Sequence, residues 1–217
     1  MRKETIKYFF SVEGDTERWY LNWLQAKINS NEYSRYNIKI DCKRCSDPRT
    51  YVKNSNILKK TEVTHLVDIE SYEDSHIKRF ECTLDNMKEA QKMGKDIRYV
   101  LGYSNFTFEL WMILHKYPCN KILADRTQYL EFINKAYNEN FKSLKKFKNE
   151  KEFHRILSNL TLDDVKDAIN RAKSIMSDKS INGLIEKNYK GYKYYVDNPS
   201  LSIYKSIEKI LTTCEII

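Results

Sequence analysis

The sequence predicts an α/β protein with a mainly parallel sheet, helices on both faces of that sheet, and a helical portion at the C-terminal end. Two observations support this fold class. Runs of apolar and β-branched residues alternate with segments of helical periodicity up to residue 104, and helical segments dominate after it. Because parallel strands need long crossover connections, this alternation favours strands that are joined by helices.

The first portion of the chain supplies four predicted strands and three predicted helices in alternation. Gly14 breaks the first strand, and Asp15 or Thr16 can cap the helix that follows it. Gly94 ends the third helix. The predicted strands cover residues 5–12, 36–44, 62–70 and 96–104, and the predicted helices cover 17–28, a part of 46–60, and 75–94.

The second portion is predicted to consist of consecutive helices. Thr161 is a good cap for one of these helices, and Pro199 with Ser200 is expected to begin the last one. No Ser/Gly-rich linker separates the portions, so we expect residues 1–104 to form an α/β core and 105–217 a helical portion packed on it, in one compact unit. The helical segments are 106–117, 126–141, 150–157, 161–176 and 200–211.

Composition narrows the classes of function. With 41% hydrophobic residues, the chain fits an ordinary globular protein, and its net charge of +8 favours a polyanionic partner such as nucleic acid. No segment approaches the ~20 apolar residues of a membrane helix, and no signal peptide is recognisable, so we expect a cytoplasmic protein without a membrane partner. Cys42 and Cys45 have the spacing of zinc ligands, but no second pair completes a site, and reduced thiols are the alternative.

Acidic residues follow two of the predicted strands. Glu13 comes after the first strand, and Asp68 and Glu70 end the third with one residue between them. Because the carboxyl ends of parallel strands share one edge of a sheet, these carboxylates could meet in a crevice, and Glu17 lies one helical turn after Glu13. Hard cations such as Mg²⁺ prefer carboxylate oxygens. The alternative is a set of solvated loop acids and helix caps.

The segment "SNFTFELW" follows the fourth predicted strand. It could bring Ser104, Asn105 and Glu109 to the same crevice. In the alternative interpretation, Ser104 or Asn105 only caps an apolar helix. That helix would bury Trp111, Ile113 and Leu114 in the core.

The most basic stretches are "KSLKKFKNEK" (142–151) and "KNYKGYKYY" (187–195). The second interleaves lysines with tyrosines, a pattern that suits phosphate contacts and stacking on unpaired bases. We therefore predict nucleic-acid contacts by Lys187, Lys190, Tyr192 and Lys193. The alternative is a solvated charged face with tyrosines in the core.

Four segments in order resemble the RloB-like family, the group that includes the abortive-infection protein AbiLii. They are "EGDTERWY", "LVDIE", "SNFTFELWMILH" and "NPSLSIYKSIEKIL", and they span most of the chain. The resemblance implies a Toprim-like fold, the metal-dependent fold of topoisomerases, primases and OLD-type nucleases. Residues 1–104 would then be the Toprim-like core.

The resemblance also implies roles for the acids. Glu13 matches the Toprim glutamate, Asp68 matches the first acid of the DxD pattern, and Glu70 stands where that pattern has its second Asp. These three would be catalytic, and together with Glu17 and Glu109 they would ligate Mg²⁺ or Mn²⁺. Glu17 matches the second acid of an EGxxE arrangement, and Glu109 matches the acid of an SNPxFELW-like motif.

The function implied by the resemblance is that of a metal-dependent nuclease in anti-phage defence, cutting phosphodiester bonds in DNA or RNA. A separate ATPase is an expected partner, because the sequence has no GxxxxGK[ST] phosphate loop. A homo-oligomer is left open. The alternative is a non-catalytic subunit with a degenerate Toprim fold that binds nucleic acid or the ATPase, and a metal-dependent nucleotide transferase is a third interpretation.

Overall fold

The computed structural model describes residues 3–57 and 59–217, which form strands and helices in the predicted alternation. The first portion contains β1 (Thr5–Val12), α1 (Asp15–Asn29), β2 (Asn37–Arg44), α2 (Pro48–Lys53), β3 (Thr61–Asp68), α3 (Asp74–Ala90) and β4 (Ile97–Asn105). The second portion contains α4 (Glu109–Leu114), a 3₁₀ turn (Arg126–Gln128), α5 (Tyr129–Tyr137), α6 (Leu144–Phe147), α7 (Glu150–Ser158), α8 (Leu162–Ile181), β5 (Lys187–Tyr189), β6 (Tyr192–Tyr194), β7 (Ser200–Leu201) and α9 (Ile203–Thr213).

The main sheet of the described residues has the strand order β2-β1-β3-β4-β7. The first four of these strands are parallel, and β7 joins β4 in the antiparallel direction. Strands β5 and β6 form a separate antiparallel hairpin. This arrangement confirms the predicted α/β class with a C-terminal helical part, and it is consistent with a Toprim-like fold.

Apolar side chains cover the sheet on both faces. On one face, Phe10 and Val12 of β1 share a cluster with Leu24 of α1 and with the helices of the second portion. On the other face, Val63 of β3 shares a second cluster with Phe80 of α3, with α2 and with the β5–β6 hairpin. The helix that follows β1 and the helix that follows β3 therefore lie on opposite faces of the sheet.

This placement creates a crevice at the carboxyl ends of β1 and β3. The two strands are direct neighbours, paired from Phe9–Val12 to Val63–Leu66. Because their following helices leave in opposite directions, the chain opens a gap between them, which is where open α/β sheets bind ligands. Glu13 follows β1 and Asp68 ends β3, so both acids lie at this gap.

Two predicted helix starts differ from the structure, and a third is confirmed. Gly14 is the N-cap of α1 and no side chain caps that helix, so the predicted cap by Asp15 or Thr16 is wrong. The last helix begins only at Ile203, because Ser200 and Leu201 pair with the end of β4. The Thr161 cap is confirmed, with its hydroxyl accepting from the Asp164 N–H at 3.2 Å.

The second portion completes the sheet of the first. The Ser202 hydroxyl donates to the Leu101 carbonyl at 2.9 Å and accepts from the Tyr103 N–H at 3.1 Å. These bonds fix β7 and the start of α9 beside β4, so residues on both sides of position 104 build one sheet and share one apolar cluster. Within the described residues, no helix has the length and apolar character needed to cross a membrane.

His115 joins α1 to α4 in the core between the two portions. Its Nδ1 lies 2.9 Å from the Trp111 carbonyl, which can only accept, so Nδ1 carries the proton. Its Nε2 then accepts from the Tyr20 hydroxyl at 3.1 Å. Burial lowers the pKa of His115 to about 4 and likewise lowers the pKa of His65 to about 4.

The buried, neutral His115 should make a contribution to stability that is lost in a defined acid window. As pH falls from the unfolded-state pKa of histidine near 6.5 towards 4, the unfolded chain gains a proton that folded His115 does not, which costs of the order of 3 kcal/mol at this site. Urea unfolding of the unaltered protein and of His115→Gln from pH 7.5 to 4 measures this loss as the difference between the two proteins. The variant should be less stable at pH 7.5 and the difference should shrink towards pH 4, whereas a difference that does not change with pH would contradict the assignment.

Candidate metal centre

Glu13 lies in the crevice beside the end of the neighbouring strand. The backbone N–H of Asp68, at the end of β3, favours the charged form of the Glu13 carboxylate and so opposes the rise in its pKa. Glu13 is half-buried, and it lines a cleft of about 300 Å³ together with Asp68, Glu70 and Arg79. The two predicted acids, Glu13 and Asp68, therefore lie together.

Glu17 reaches the same region from the first turn of α1. The Thr16 hydroxyl donates to Glu17 Oε2 at 2.8 Å, and Glu17 is buried, with 7% of its surface exposed. Oε2 folds back over Gly14, where a Cβ atom would lie only 2.7 Å away. A side chain at position 14 would therefore displace the Glu17 carboxylate, although the Gly14 φ of −118° is open to any residue.

The crowded acids raise one another's pKa. Burial, followed by the negative charges of Glu17 and Glu70, raises the pKa of Glu13 to about 7. Burial, with the charges of Glu17 and Glu13, raises the pKa of Asp68 well above its ordinary range. The backbone N–H of Phe108 acts in the opposite direction by donating to Asp68. A cation in the crevice would relieve this repulsion.

The segment "SNFTFELW" after β4 contains Glu109, whose place in the crevice stays a prediction. Glu109 begins α4 and is 1% exposed, with Lys148 Nζ at 2.6 Å from its Oε1. The positive charge of the same lysine opposes the rise in the pKa of Asp68, so Lys148 acts on both acids. Neither Ser104 nor Asn105 caps α4, and that alternative is wrong. The predicted burial of Trp111, Ile113 and Leu114 is confirmed.

Glu70 is held differently from the other acids. Its backbone has a φ of 68°, and its carboxylate accepts from Arg79 Nη1 at 3.3 Å. His76 Nε2 lies 3.5 Å and Arg126 Nη1 3.9 Å from the same carboxylate. Arg79 and Arg126 pair with the carboxylate of Glu70 and His76 lies beside it, so Glu70 faces the cleft within a group of basic side chains.

The donor set matches a divalent cation in chemistry but is not assembled as a ligand triad. Glu13, Glu17 and Asp68 offer hard carboxylate oxygens whose mutual repulsion a cation would offset. Both carboxylate oxygens of buried Glu109 lack an aligned hydrogen-bond donor. Across residues 3–57 and 59–217, however, no three His, Cys, Asp or Glu side chains are already placed to hold a metal ion.

The basic hairpin β5–β6 is packed against α3. Tyr192 is 7% exposed and accepts from Gln91, and the Tyr194 hydroxyl donates to Glu81 at 2.8 Å. The predicted stacking of Tyr192 on bases is therefore wrong for this arrangement, because its ring belongs to the core. Lys190 faces Asp85 at 3.7 Å and Lys193 pairs with Glu186 at 2.9 Å. Lys187 is exposed. Phosphate contacts by these lysines stay a prediction.

A comparison with protein-family models decides the family. The model described as "RloB-like protein" matches residues 8–210. The chain belongs to the RloB-like family. No curated protein and no solved structure matched in the corresponding comparisons. The matched range contains every acid of the crevice and the second portion as far as residue 210.

Several groups of this RloB-like protein were not predicted from the sequence. They are the cations that surround the acids, namely Arg79 on α3, Arg126 on the 3₁₀ turn and Lys148 after α6. Lys148 lies within the basic stretch 142–151, so the sequence showed the positive charge there but not the carboxylate with which it pairs. The two arginines are isolated in the sequence, and nothing there points to the crevice.

Removing the charge of Glu13 should stabilise the metal-free protein. Because its folded-state pKa lies above its unfolded value, stability is lost as pH rises from about 4.5 to 7. Glu13→Gln should thus raise the free energy of unfolding at pH 8 by of the order of 2 kcal/mol and have little effect at pH 4.5. Chemical denaturation in EDTA measures both values.

Mg²⁺ gives the matching control for this variant. The ion should raise the midpoint of thermal unfolding of the unaltered protein at pH 8, and raise that of Glu13→Gln much less, because binding to the folded state alone stabilises it. Glu4→Gln, at the opposite end of β1, should behave like the unaltered protein in both experiments. Equal Mg²⁺ shifts in all three proteins would argue against a metal at Glu13.

Proposed function

We propose that this RloB-like protein is a metal-dependent nuclease of anti-phage defence that cuts phosphodiester bonds in DNA or RNA. The observation that carries the proposal is the meeting of Glu13 and Asp68 at the carboxyl ends of β1 and β3, each with a raised pKa. Repulsion between carboxylates that are crowded in a crevice lowers the stability of the fold. A functional role for these acids would explain why the protein has this arrangement.

In this proposal Glu13, Glu17 and Asp68 hold Mg²⁺ or Mn²⁺. The bound ion supplies neutralisation of phosphate charge and activation of water. Glu109 is the acid through which Lys148 is fixed beside Asp68. Arg79 and Arg126 are placed to bind phosphate oxygens at the cleft, since both already bind the carboxylate of Glu70.

Glu13 has a second chemical role within the proposal. Burial favours the protonated form of its carboxyl group, so one Oε atom of Glu13 can accept a proton from water and return it. The proposal places the protein in the cytoplasm beside a separate ATPase subunit, on the basis of the sequence alone.

One observation favours a second candidate, a binding subunit without catalysis. Glu70 stands at the second acid position of the Toprim pattern, yet Arg79 and Arg126 already pair with its carboxylate. A site that lacks this acid as a ligand has fewer oxygens for a metal. The binding subunit would use the same cations to hold nucleic acid or a partner.

Cleavage by the purified protein tests the two candidates. With Mg²⁺ or Mn²⁺, plasmid, single-stranded DNA and total tRNA are incubated with the unaltered protein, Asp68→Asn and Glu13→Gln. Both variants should lose about 100-fold or more of the cleavage rate, because each removes a carboxylate from the crevice. Asp96→Asn, at the exposed amino end of β4, is the matched control and should cut normally.

The outcomes separate the candidates. Metal-dependent cutting that survives Asp68→Asn and Glu13→Gln would show that the acids are wrongly assigned. Binding of nucleic acid without cutting, in the presence of a partner ATPase as well, would favour the binding subunit. EDTA should abolish cutting by the unaltered protein.

Glu70 should matter less than Asp68 for the reaction. Since Arg79 and Arg126 already pair with its carboxylate, Glu70→Gln should reduce the cleavage rate by less than about tenfold, against about 100-fold or more for Asp68→Asn. Initial rates at several Mg²⁺ concentrations measure this difference. A loss in Glu70→Gln as large as that in Asp68→Asn, restored by Glu70→Asp, would instead make Glu70 a ligand.

A further inference from the structure

A large groove with cationic walls opens beside the acids. We call it the basic groove, and it is formed by the 3₁₀ turn, the start of α5 and the segment from Lys142 to Glu150. Its volume is about 850 Å³. The cations of the groove are Arg126, Lys142, Lys145 and Lys148, and the half-buried leucines are Leu130 and Leu144.

Two of the four cations connect the groove to the crevice. Arg126 Nη1 lies 3.9 Å from Glu70 Oε1. Lys148 pairs with Glu109 and opposes the raised pKa of Asp68. The inner end of the basic groove is therefore in electrostatic contact with the candidate metal centre.

The other two cations are available for a ligand. Lys142 and Lys145 are exposed, and within the described residues neither forms an ion pair, while Lys142 donates to Asn140 Oδ1 at 3.2 Å. In the β5–β6 hairpin, by contrast, Lys190 and Lys193 each face a carboxylate. The groove offers positive charge without a neutralising partner, and Glu150 is the acid on its wall.

We propose that the basic groove binds the backbone of single-stranded nucleic acid and leads it to the acids. This inference rests on the proposed function and specifies the form of nucleic acid that would be its substrate. A phosphate at Lys142 and Lys145 would be the outer contact, and Arg126 and Lys148 would be the inner contacts. The chain of phosphates would then end at Glu13 and Asp68.

The shape and lining of the groove favour a single strand over a duplex. Its volume is in the range of pockets that enclose a small ligand, about 300–1,000 Å³, which suits a few nucleotides. Leu130 and Leu144 give an apolar surface for unpaired base faces, which a duplex keeps inside. With leucines in place of aromatic rings, phosphate contacts dominate, so binding depends strongly on salt and weakly on sequence.

Binding in EDTA tests the groove independently of cleavage. Fluorescence anisotropy is measured with labelled twelve-nucleotide dT and rU strands and with a duplex of the same length. The double variant Lys142→Glu/Lys145→Glu should bind both single strands at least about tenfold more weakly. The plot of log K against log salt concentration should become less steep by about 1.4, because two phosphate contacts are lost. Lys39→Glu/Lys205→Glu has the same charge change at other exposed positions, and should bind within about twofold of the unaltered protein.

Three results would overturn the proposal. They are unchanged binding by the groove variant, an equal loss in the Lys39→Glu/Lys205→Glu control, and a loss confined to Lys190→Glu/Lys193→Glu of the hairpin. Tighter binding of the duplex than of either single strand would overturn the single-strand assignment. A preference between dT and rU identifies the natural sugar, and melting curves confirm that the variants are folded.

The groove and the nuclease proposals can fail separately. Asp68→Asn should bind single strands at least as tightly as the unaltered protein in EDTA, because it removes negative charge near the groove. Groove binding that depends on Lys142 and Lys145, with no cleavage under any metal, would support the groove and reject the nuclease. Metal-dependent cleavage at an unchanged rate in the groove variant would support the nuclease and reject the groove.

Discussion

The candidate site depends on one constraint, the placement of α1 and α3 on opposite faces of the sheet after the neighbouring strands β1 and β3. This placement opens the crevice and brings Glu13 and Asp68 to the wall of one cleft. Carboxylates that meet in this way repel one another, and burial increases the cost. The fold compensates in part through the N–H groups of Asp68 and Phe108, which a helical or antiparallel connection would not bring to the same edge.

The positive balance of the chain and the negative crevice are parts of one arrangement. Cations from three separate segments approach the acids, and each is fixed by a carboxylate that it neutralises, as Arg79 is by Glu70 and Lys148 by Glu109. Lys142 and Lys145 of the basic groove add positive charge outside these pairs. A polyanion would therefore meet positive charge first and the acids only at the inner end of the groove.

The sequence predicted those features that local pattern determines. Strand periodicity located β1 and β3, so the acids at their ends could be assigned to one crevice before any coordinates were known. The partners of these acids could not be predicted, because Lys148 and Arg126 come from helices whose packing no local pattern specifies. For the same reason the lysine and tyrosine alternation at 187–195 suggested a binding surface, whereas packing on α3 buries Tyr192, Asp85 of α3 faces Lys190, and Glu186 pairs with Lys193. The short strand β7 has too few residues to show a period.

Lys148 links the two halves of the proposed mechanism through electrostatics. It faces buried Glu109 on one side, it opposes the raised pKa of Asp68, and it also lines the basic groove. A phosphate that attracts Lys148 would weaken its hold on Glu109, and a buried carboxylate without a cation is costly. Any cation that then entered the crevice would gain from the exposed negative charge of Glu109 and Asp68 together. Binding of a polyanion in the groove and of a metal at the acids would therefore favour each other, because a coupling through one shared residue is reciprocal.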